Sequence, residues 1–260
     1  MQKSRVDYHI HTYISSDSDL NPIELVKSAI SHGYQEIAFT DHLDLNPVDI
    51  KEFGKNNFKH FLDDYEKLNI KYGSEISIKK GIEIGEIHRF YDNLHNVLNV
   101  HINNFDLIIG SIHRTLKDIN TSIPVENQFS DEDIMDYYVE NLKMVKFGKF
   151  HILGHLGIFE RYYNKPVDKK KFLPIIDEIF ENIIKKDIAL EINLSGLQKD
   201  IRSIIPTKDI VERYREKGGR LISIGSDSHT VKSFVKSVRF YDEIFNYLFI
   251  ENDFVLFNYS

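Results

Sequence analysis

The sequence predicts an α/β fold built on a parallel sheet, and three observations lead there. β-like apolar runs alternate with amphipathic helical stretches from one end of the chain to the other, the order that a parallel sheet requires. The 260 residues, 42% of them hydrophobic, can bury one large core, and single α/β barrels of this length are common. No Pro/Gly/Ser-rich linker and no internal repeat divides the sequence, so residues 1–260 are read as one domain. On pattern alone the sheet is either closed into a barrel or open and doubly wound.

Seven strands are expected: Val6–His9, Glu36–Phe39, Ile76–Ile84, Phe105–Ile109, Phe150–Leu153, Ile188–Ile192 and Leu221–Ile224. The helical stretches between and after them are Pro22–Ser31, Phe58–Tyr72, Asp131–Phe147, Lys169–Lys185, Thr207–Lys217 and Lys232–Phe249. Asn21 caps the first, Pro22 takes its first position and Gly33 ends it. Thr207 stands as the cap of the helix that Gly218-Gly219 terminates. A long polar connection, Thr115–Asp133, follows the fourth strand, and loops of that length are usually functional or mobile. Lys169-Lys170-Lys171 reads as the solvated start of a helix. The segment Ile244–Phe257, broken by Glu251, Asn252 and Asp253, reads as core packing with a turn.

Composition narrows the chemistry. With no cysteine, a disulfide framework, a thiolate metal site and a cysteine nucleophile are all excluded. Imidazole and carboxylate remain as strong metal ligands, and there are twelve histidines. A formal charge of −7, from 33 Lys+Arg against 40 Asp+Glu, argues against a stable nucleic-acid partner, which needs a basic face. No run approaches the ~18 apolar residues of a membrane span, and the start has no apolar signal region. A soluble, cytoplasmic protein without a membrane partner is expected.

The histidines fall at one topological level. His9 and His11 lie at the end of the first strand, sharing a face by their i, i+2 spacing. His42 follows the second strand, Glu83 ends the third, and His113 and His155 follow the fourth and fifth. Asp227 and His229 follow the seventh. Six of seven expected strands thus end in His, Asp or Glu, and in a parallel barrel those ends form the rim that carries the active site. With Asp17, they make nine donors: His9, His11, Asp17, His42, Glu83, His113, His155, Asp227 and His229. One zinc or manganese takes three or four protein ligands, so nine suit two or three divalent ions (Zn, Mn or Fe), with Glu83 as the bridge. Clustered ions of this kind activate water for attack at phosphorus, so the expected substrate is a small phosphate ester. The other histidines are read as bystanders: His32 at a helix C-terminus, His60, His95 and His101 on polar stretches, and His151 packed within a strand. His88, close to Glu83, is a candidate to support it.

At these residues the sequence resembles the PHP (polymerase and histidinol phosphatase) family of metal-dependent phosphoesterases. The matching pieces are Asp7-Tyr8-His9-Ile10-His11-Thr12, Phe39-Thr40-Asp41-His42, Gly81-Ile82-Glu83, Ile109-Gly110-Ser111-Ile112-His113, Gly154-His155 and Gly225-Ser226-Asp227-Ser228-His229. Leu190-Glu191-Ile192-Asn193-Leu194-Ser195-Gly196-Leu197 makes it most similar to the stand-alone histidinol-phosphatase group. The resemblance implies a distorted (β/α)7 TIM-like barrel with a metal site at the C-terminal rim of the strands. It implies one ion on His9, His11, Glu83 and Asp227, a second on Glu83, His113 and His155, and a third on Asp17, His42 and His229. Asp19 is the neighbouring alternative to Asp17.

The resemblance further implies hydrolysis of L-histidinol phosphate, in histidine biosynthesis, with Glu83, Asp227 and His229 catalytic. His229 and His42 are candidates to protonate the leaving oxygen. Where the group tends to carry a phosphate-binding arginine after Ser-Gly-Leu, this chain has Gln198. Arg114, Arg161, Lys199 and Arg202 are the candidates for the phosphate in its place. Competing readings are a nucleotide, oligonucleotide-end or phosphotyrosine phosphoesterase on the same site, or a non-catalytic metal-binding regulatory module.

Overall fold

The computed structural model describes residues 5–49, 58–94 and 102–258. Nine strands appear among them: β1 Arg5–Asp7, β2 Tyr34–Phe39, β3 His42–Asp44, β4 Ser77–Gly85, β5 Leu107–Ser111, β6 Ile152–Leu153, β7 Ala189–Asn193, β8 Leu221–Gly225 and β9 Val255–Leu256. The sheet runs β1-β2-β4-β5-β6-β7-β8-β9, with β3 also on β4, and every pairing is parallel.

The sheet curls until its ends meet. Just past β1, the Tyr8 amide donates to Ile224 O at 2.9 Å, and the Asp227 amide donates to His9 O at 2.8 Å. The His11 amide donates to Ser228 O at 3.0 Å. Closure is therefore direct at the C-terminal end of the strands, while β9 pairs with the first residues of β8 at the other end. The result is a distorted barrel, and the open doubly wound alternative is eliminated.

The strand sequences are near-continuously apolar because both faces are covered, as in Leu107–Ser111 and Ala189–Asn193, every residue of which is buried. Inside the barrel lies a small cluster that includes Ala38, Leu107, Ile109, Ile152, Ala189 and Phe257. A larger core fills the space around it. Side chains alternate along a strand, so Ser111 and Glu191 point the same way as Ile109 and Ala189, one layer nearer the C-terminal rim. The polar rim is stacked on an apolar floor.

The helices Pro22–Ser31, Phe58–Tyr72 and Asp131–Phe147 have the expected bounds. Asn21 accepts from the amides of Ile23 and Glu24, as its capping role requires. Other expectations are corrected. β3 and β9 were not foreseen: His42 follows β2, as expected, but also opens a short strand, and the C-terminal segment passes through a π-helical turn, Asn246–Glu251, into β9. Thr207 has the extended backbone of a cap, but its side chain makes no capping hydrogen bond. The connection after His113 is folded, with Thr115 N donating to Ile119 O and Thr121 Oγ1 to Ile112 O. No helix among the described residues is long and apolar enough to cross a membrane.

The lysine run is also corrected. The helix begins at Leu173, after a 3₁₀ turn at Lys170–Phe172, and Lys169 is buried against Glu160 with Nζ–Oε1 at 2.8 Å. Only Lys170 and Lys171 are exposed. Removing one member of a buried pair strands the other charge, at a cost of about 3–5 kcal/mol. Lys169→Met is therefore expected to destabilise by that amount in urea unfolding, and Lys169→Met with Glu160→Leu by clearly less. Equal stability of the single variant and the parent would refute the pairing.

Candidate metal centre

The site grows from the ends of the strands. Beyond β1, the Ile10 amide donates to Thr40 Oγ1 at 3.0 Å, which fixes the extended chain that presents His9 and His11 to the same side. Glu83, near the end of β4, is buried and lies at the centre of the histidines. Its Oε2 is 2.9 Å from His42 Nδ1, 3.3 Å from His9 Nε2 and 3.5 Å from His11 Nε2. Its Oε1 is 2.9 Å from His155 Nε2 and 3.2 Å from His113 Nε2, and accepts from Ser111 Oγ at 2.6 Å. Asp227 Oδ1 is 3.4 Å from His11 Nε2, and Asp17 Oδ2 is 3.2 Å from His229 Nε2 and 3.6 Å from His42 Nε2. All nine sequence-predicted donors converge.

Neighbouring carboxylates fix which imidazole nitrogens face inward. His9 Nδ1 is 2.6 Å from Glu191 Oε1, and His113 Nδ1 is 2.8 Å from Asp44 Oδ1. Each carboxylate accepts from Nδ1 and so turns Nε2 toward the centre, where its lone pair becomes available to an ion once the ring is neutral. Glu191 and Asp44 were not singled out from sequence. Glu191 lies in the one expected strand, Ile188–Ile192, that seemed to end without a ligand, and its charge within an apolar run was the available signal. Asp44, two residues after His42, had the i, i+2 spacing of the other pairs.

Three further buried carboxylates brace the backbone. Asp41 accepts from Thr12 N, Ser15 N and Ser15 Oγ. Asp7 accepts from His9 N and Ser226 N, joining β1 to β8, and burial pushes its carboxyl up to about 7. Glu86 accepts from the amides of His113 at 2.7 Å and Arg114 at 2.8 Å. Its backbone is left-handed, φ 45°, a conformation that costs a non-glycine residue energy and is retained where its surroundings enforce it.

The donors at the centre suit a cation. His9 Nε2, His11 Nε2 and Glu83 Oε2 are buried atoms without a hydrogen-bond partner among the described residues, yet they face one another. Buried polar atoms that face one another without partners are costly in a dry site, and divalent ions are what imidazole and carboxylate donors of this kind fit. Three groups of donors lie close enough to share an ion: His9, His11 and Glu83; His42, Glu83 and His113; and His11, His42 and His229. Burial opposes charge on Glu83, but His9, His113 and His42 hold it well below the usual carboxylate range. Asp227 is likewise held low against burial, chiefly by His11, His9 and Arg161. Burial is outweighed by Glu191 and Glu83 at His9, and by Asp44 and Glu83 at His113, so both imidazoles are raised. His42 is raised to about 10 against burial by Glu83 and Asp17. His11 is lowered by burial and by its neighbours His42 and His229.

The centre opens into a cleft of about 660 Å³. Arg161 lines it, with Nη1 2.8 Å from Asp227 Oδ2 and Nη2 donating to Ser122 O at 2.8 Å. Arg114 also lines the cleft but is engaged in a two-point pair with Asp49. Lys199 lines it with its ammonium 5.5 Å from the Tyr162 ring. Arg202 is corrected: it is exposed, in a turn with φ 48°, and is not among the lining residues. His88 is corrected too, since its Nε2 lies 3.1 Å from buried Glu140, away from Glu83. His151 Nδ1 accepts from Ile108 N and His32 Nδ1 lies 2.8 Å from Ser28 O, while His60 is exposed. His95 and His101 lie outside the described residues.

Comparison with known proteins places this geometry. A family model described as PHP domain matches residues 7–195. The chain is 30% identical to a histidinol-phosphatase of Lactococcus lactis subsp. lactis, over 88% of this chain and 85% of that one. It is 30% identical to a probable histidinol-phosphatase of Thermotoga maritima, over 86% and 84%. The crystal structure of the Lactococcus histidinol phosphate phosphatase, complexed with zinc, L-histidinol and phosphate, superposes with a TM-score of 0.80 at 28% identity, covering 97% of this chain and 95% of that one.

Metal ligation needs bare imidazole nitrogen. With raised pKa values, His9, His42 and His113 hold protons at pH 7 before an ion arrives, and binding must expel them. Metal affinity is expected to climb with pH, and calorimetric heats should scale with the ionisation enthalpy of the buffer. Heats that do not depend on the buffer would contradict this. Glu191→Gln and Asp44→Asn are each expected to weaken metal binding about 10–100-fold, read in a competition assay against a chromogenic chelator.

Proposed function

The chain belongs to the PHP domain family, and on that premise we propose that it is a metal-dependent phosphomonoesterase that hydrolyses L-histidinol phosphate to L-histidinol and phosphate. One observation carries the reading: the relative that it matches along nearly its whole length holds zinc, L-histidinol and phosphate, and this chain gathers six imidazoles and three carboxylates at one cleft, with buried His9, His11 and Glu83 against the lining residues His42, His113, His155, His229, Asp17 and Asp227. The candidate ligands divide into His9, His11, Glu83 and Asp227 for one ion, Glu83, His113 and His155 for a second, and Asp17, His42 and His229 for a third. Two to three ions of Zn, Mn or Fe fit these donors. Bound divalent ions supply an activated water and positive charge opposite the phosphate oxygens.

The chain's own residues do the rest. The Arg161 guanidinium commits Nη1 to Asp227 and Ser195, but its Nε has no hydrogen-bond partner among the described residues, which leaves a donor for a phosphate oxygen. Asp227 orients that guanidinium while facing His11. His229 is about a quarter exposed and lines the cleft with Asp17 beside it; it can carry a proton to the leaving oxygen only while its Nε2 is not committed to the third ion. Tyr162 offers apolar surface for the ring of the leaving alcohol. Donors at all nine ligand positions, together with an open cleft, support catalysis over a purely metal-binding role.

A phosphatase panel with Mn, Fe and Zn tests the assignment. L-histidinol phosphate is expected to be cleaved with a kcat/KM at least about 100-fold above that of p-nitrophenyl phosphate, a margin of ~3 kcal/mol that several buried polar contacts can supply. Equal values would defeat the substrate assignment. Glu83→Ala is expected to lose activity and bound metal together, and full activity in that variant would remove the bridging role. Arg161→Ala is expected to lower kcat/KM about 10–100-fold, the size of a lost charge-assisted hydrogen bond.

A further inference from the structure

We propose that Asn193 and Ser195 are positioning residues for the reaction: they form a hydrogen-bond relay of fixed polarity that aims the Arg161 guanidinium at the substrate phosphate. The proposal rests on the phosphomonoesterase reading, in which Arg161 meets phosphate, but not on the identity of the leaving alcohol. Three neighbouring strands supply the parts. Arg161 lies in the 3₁₀ turn Ile158–Tyr162 after β6, Asn193 ends β7 with Ser195 just beyond it, and Asp227 follows β8. Asn193 shares the strand face of Glu191, which touches His9, so it stands one layer above the residue that orients that imidazole. The backbone beneath it is clamped. Asn193 N donates to Ile205 O at 2.8 Å, Ile205 N to Asn193 O at 3.0 Å and Leu194 N to Gly225 O at 2.8 Å. Gly196 packs so closely that a Cβ there would come within 2.4 Å of Ser203 O.

Each step of the relay has a determined direction. The Ser195 amide can only donate, and it meets Asn193 Oδ1 at 3.0 Å, which fixes the end of the Asn193 amide that faces the turn. Ser195 Oγ lies 2.6 Å from the same oxygen, so its proton is spent there. The lone pairs of Oγ then accept from Arg161 Nη1 at 3.3 Å. Nη1 gives its other N–H to Asp227 Oδ2 at 2.8 Å, and Nη2 donates to Ser122 O at 2.8 Å. Held at these points, the guanidinium keeps one plane, and the donors on Nε and the remainder of Nη2 are left for a ligand. The Arg161 side chain is mostly buried, so an N–H without an acceptor is costly there. Asn193 is fully buried, and its Nδ2 has no hydrogen-bond partner among the described residues. An unpaired buried amide needs a reason to be kept, and the work of its oxygen supplies one. Without Ser195 Oγ, Asp227 alone holds Nη1, and the guanidinium can turn about that contact.

The test reads calorimetric binding of inorganic phosphate and hydrolysis of L-histidinol phosphate on the metal-loaded enzyme. Ser195→Ala and Asn193→Ala are each made in the parent and in an Arg161→Ala background. In the parent, Ser195→Ala is expected to weaken phosphate binding and lower kcat/KM about tenfold, the size of one hydrogen bond to a charged group, with metal content unchanged. Asn193→Ala is expected to move both values the same way. In the Arg161→Ala background, Ser195→Ala should change either value by less than about twofold, because the relay then has nothing to aim. Ser195→Thr, which keeps the hydroxyl, should retain phosphate affinity, and a loss as deep as that of Ser195→Ala would count against the relay. Equal losses in the two backgrounds are what a purely structural role gives, and they overturn the proposal. If Asn193→Ala does not fold, the Ser195 cycle decides alone. A parent that binds phosphate and hydrolyses the ester while Ser195→Ala matches it defeats the relay alone. A parent that neither binds phosphate nor hydrolyses any phosphomonoester defeats the phosphomonoesterase reading, and the relay with it.

Discussion

A single carboxylate, Glu83, stands buried within 3.5 Å of five imidazoles. Burying an unpaired carboxylate costs several kcal/mol, so its surroundings must supply positive charge. Protonated imidazoles supply some of it in the metal-free chain, and divalent ions would supply more. Much of the rim follows from this constraint. Glu191 and Asp44 orient the histidines around Glu83, while Asp7, Asp41 and Glu86 hold the backbone segments that carry them. A ring of second carboxylates thus supports the first.

Barrel closure makes the arrangement possible. His9 and His11 come from residues just past β1, and Asp227 and His229 from the segment after β8, some 220 residues later in the chain. They meet because backbone hydrogen bonds join those two segments directly. The same closure seats Asp7 against Ser226. At the opposite end, β9 and Phe257 fill the barrel, with Phe257 packed edge-on to Tyr8. The two ends have different tasks: the apolar end sustains the fold, and the polar end collects charge.

The cleft inherits its character from these ends of strands. Its inner part is crowded with donors that neutralise one another or await cations. Net charge is a poor guide to such a site. The acidic excess of the chain is spread over its surface, whereas the charge that a substrate meets is set by which local pairs are complete. Arg114 shows the distinction: it lines the cleft, but Asp49 already occupies its guanidinium.

Much of this was legible in the sequence, because strand ends in a parallel barrel share one rim and i, i+2 spacing survives any detail of packing. Seven barrel strands, three helices with their bounds, and all nine donors could be read that way. What could not be read was set by contacts between distant residues. Lys169 looked solvated because its partner Glu160 is recognisable only in three dimensions. Arg202 looked as suitable for phosphate as Arg161 until a left-handed turn carried it out of the cleft. His88 sat near Glu83 in sequence, but the helix that follows β4 delivers it to Glu140. The sequence by itself determined which residue types stand at the strand ends, since periodicity is a local property. Only the tertiary structure decided which carboxylate orients which imidazole and which arginine of the cleft keeps a free donor, since those depend on distances between chain segments far apart in sequence.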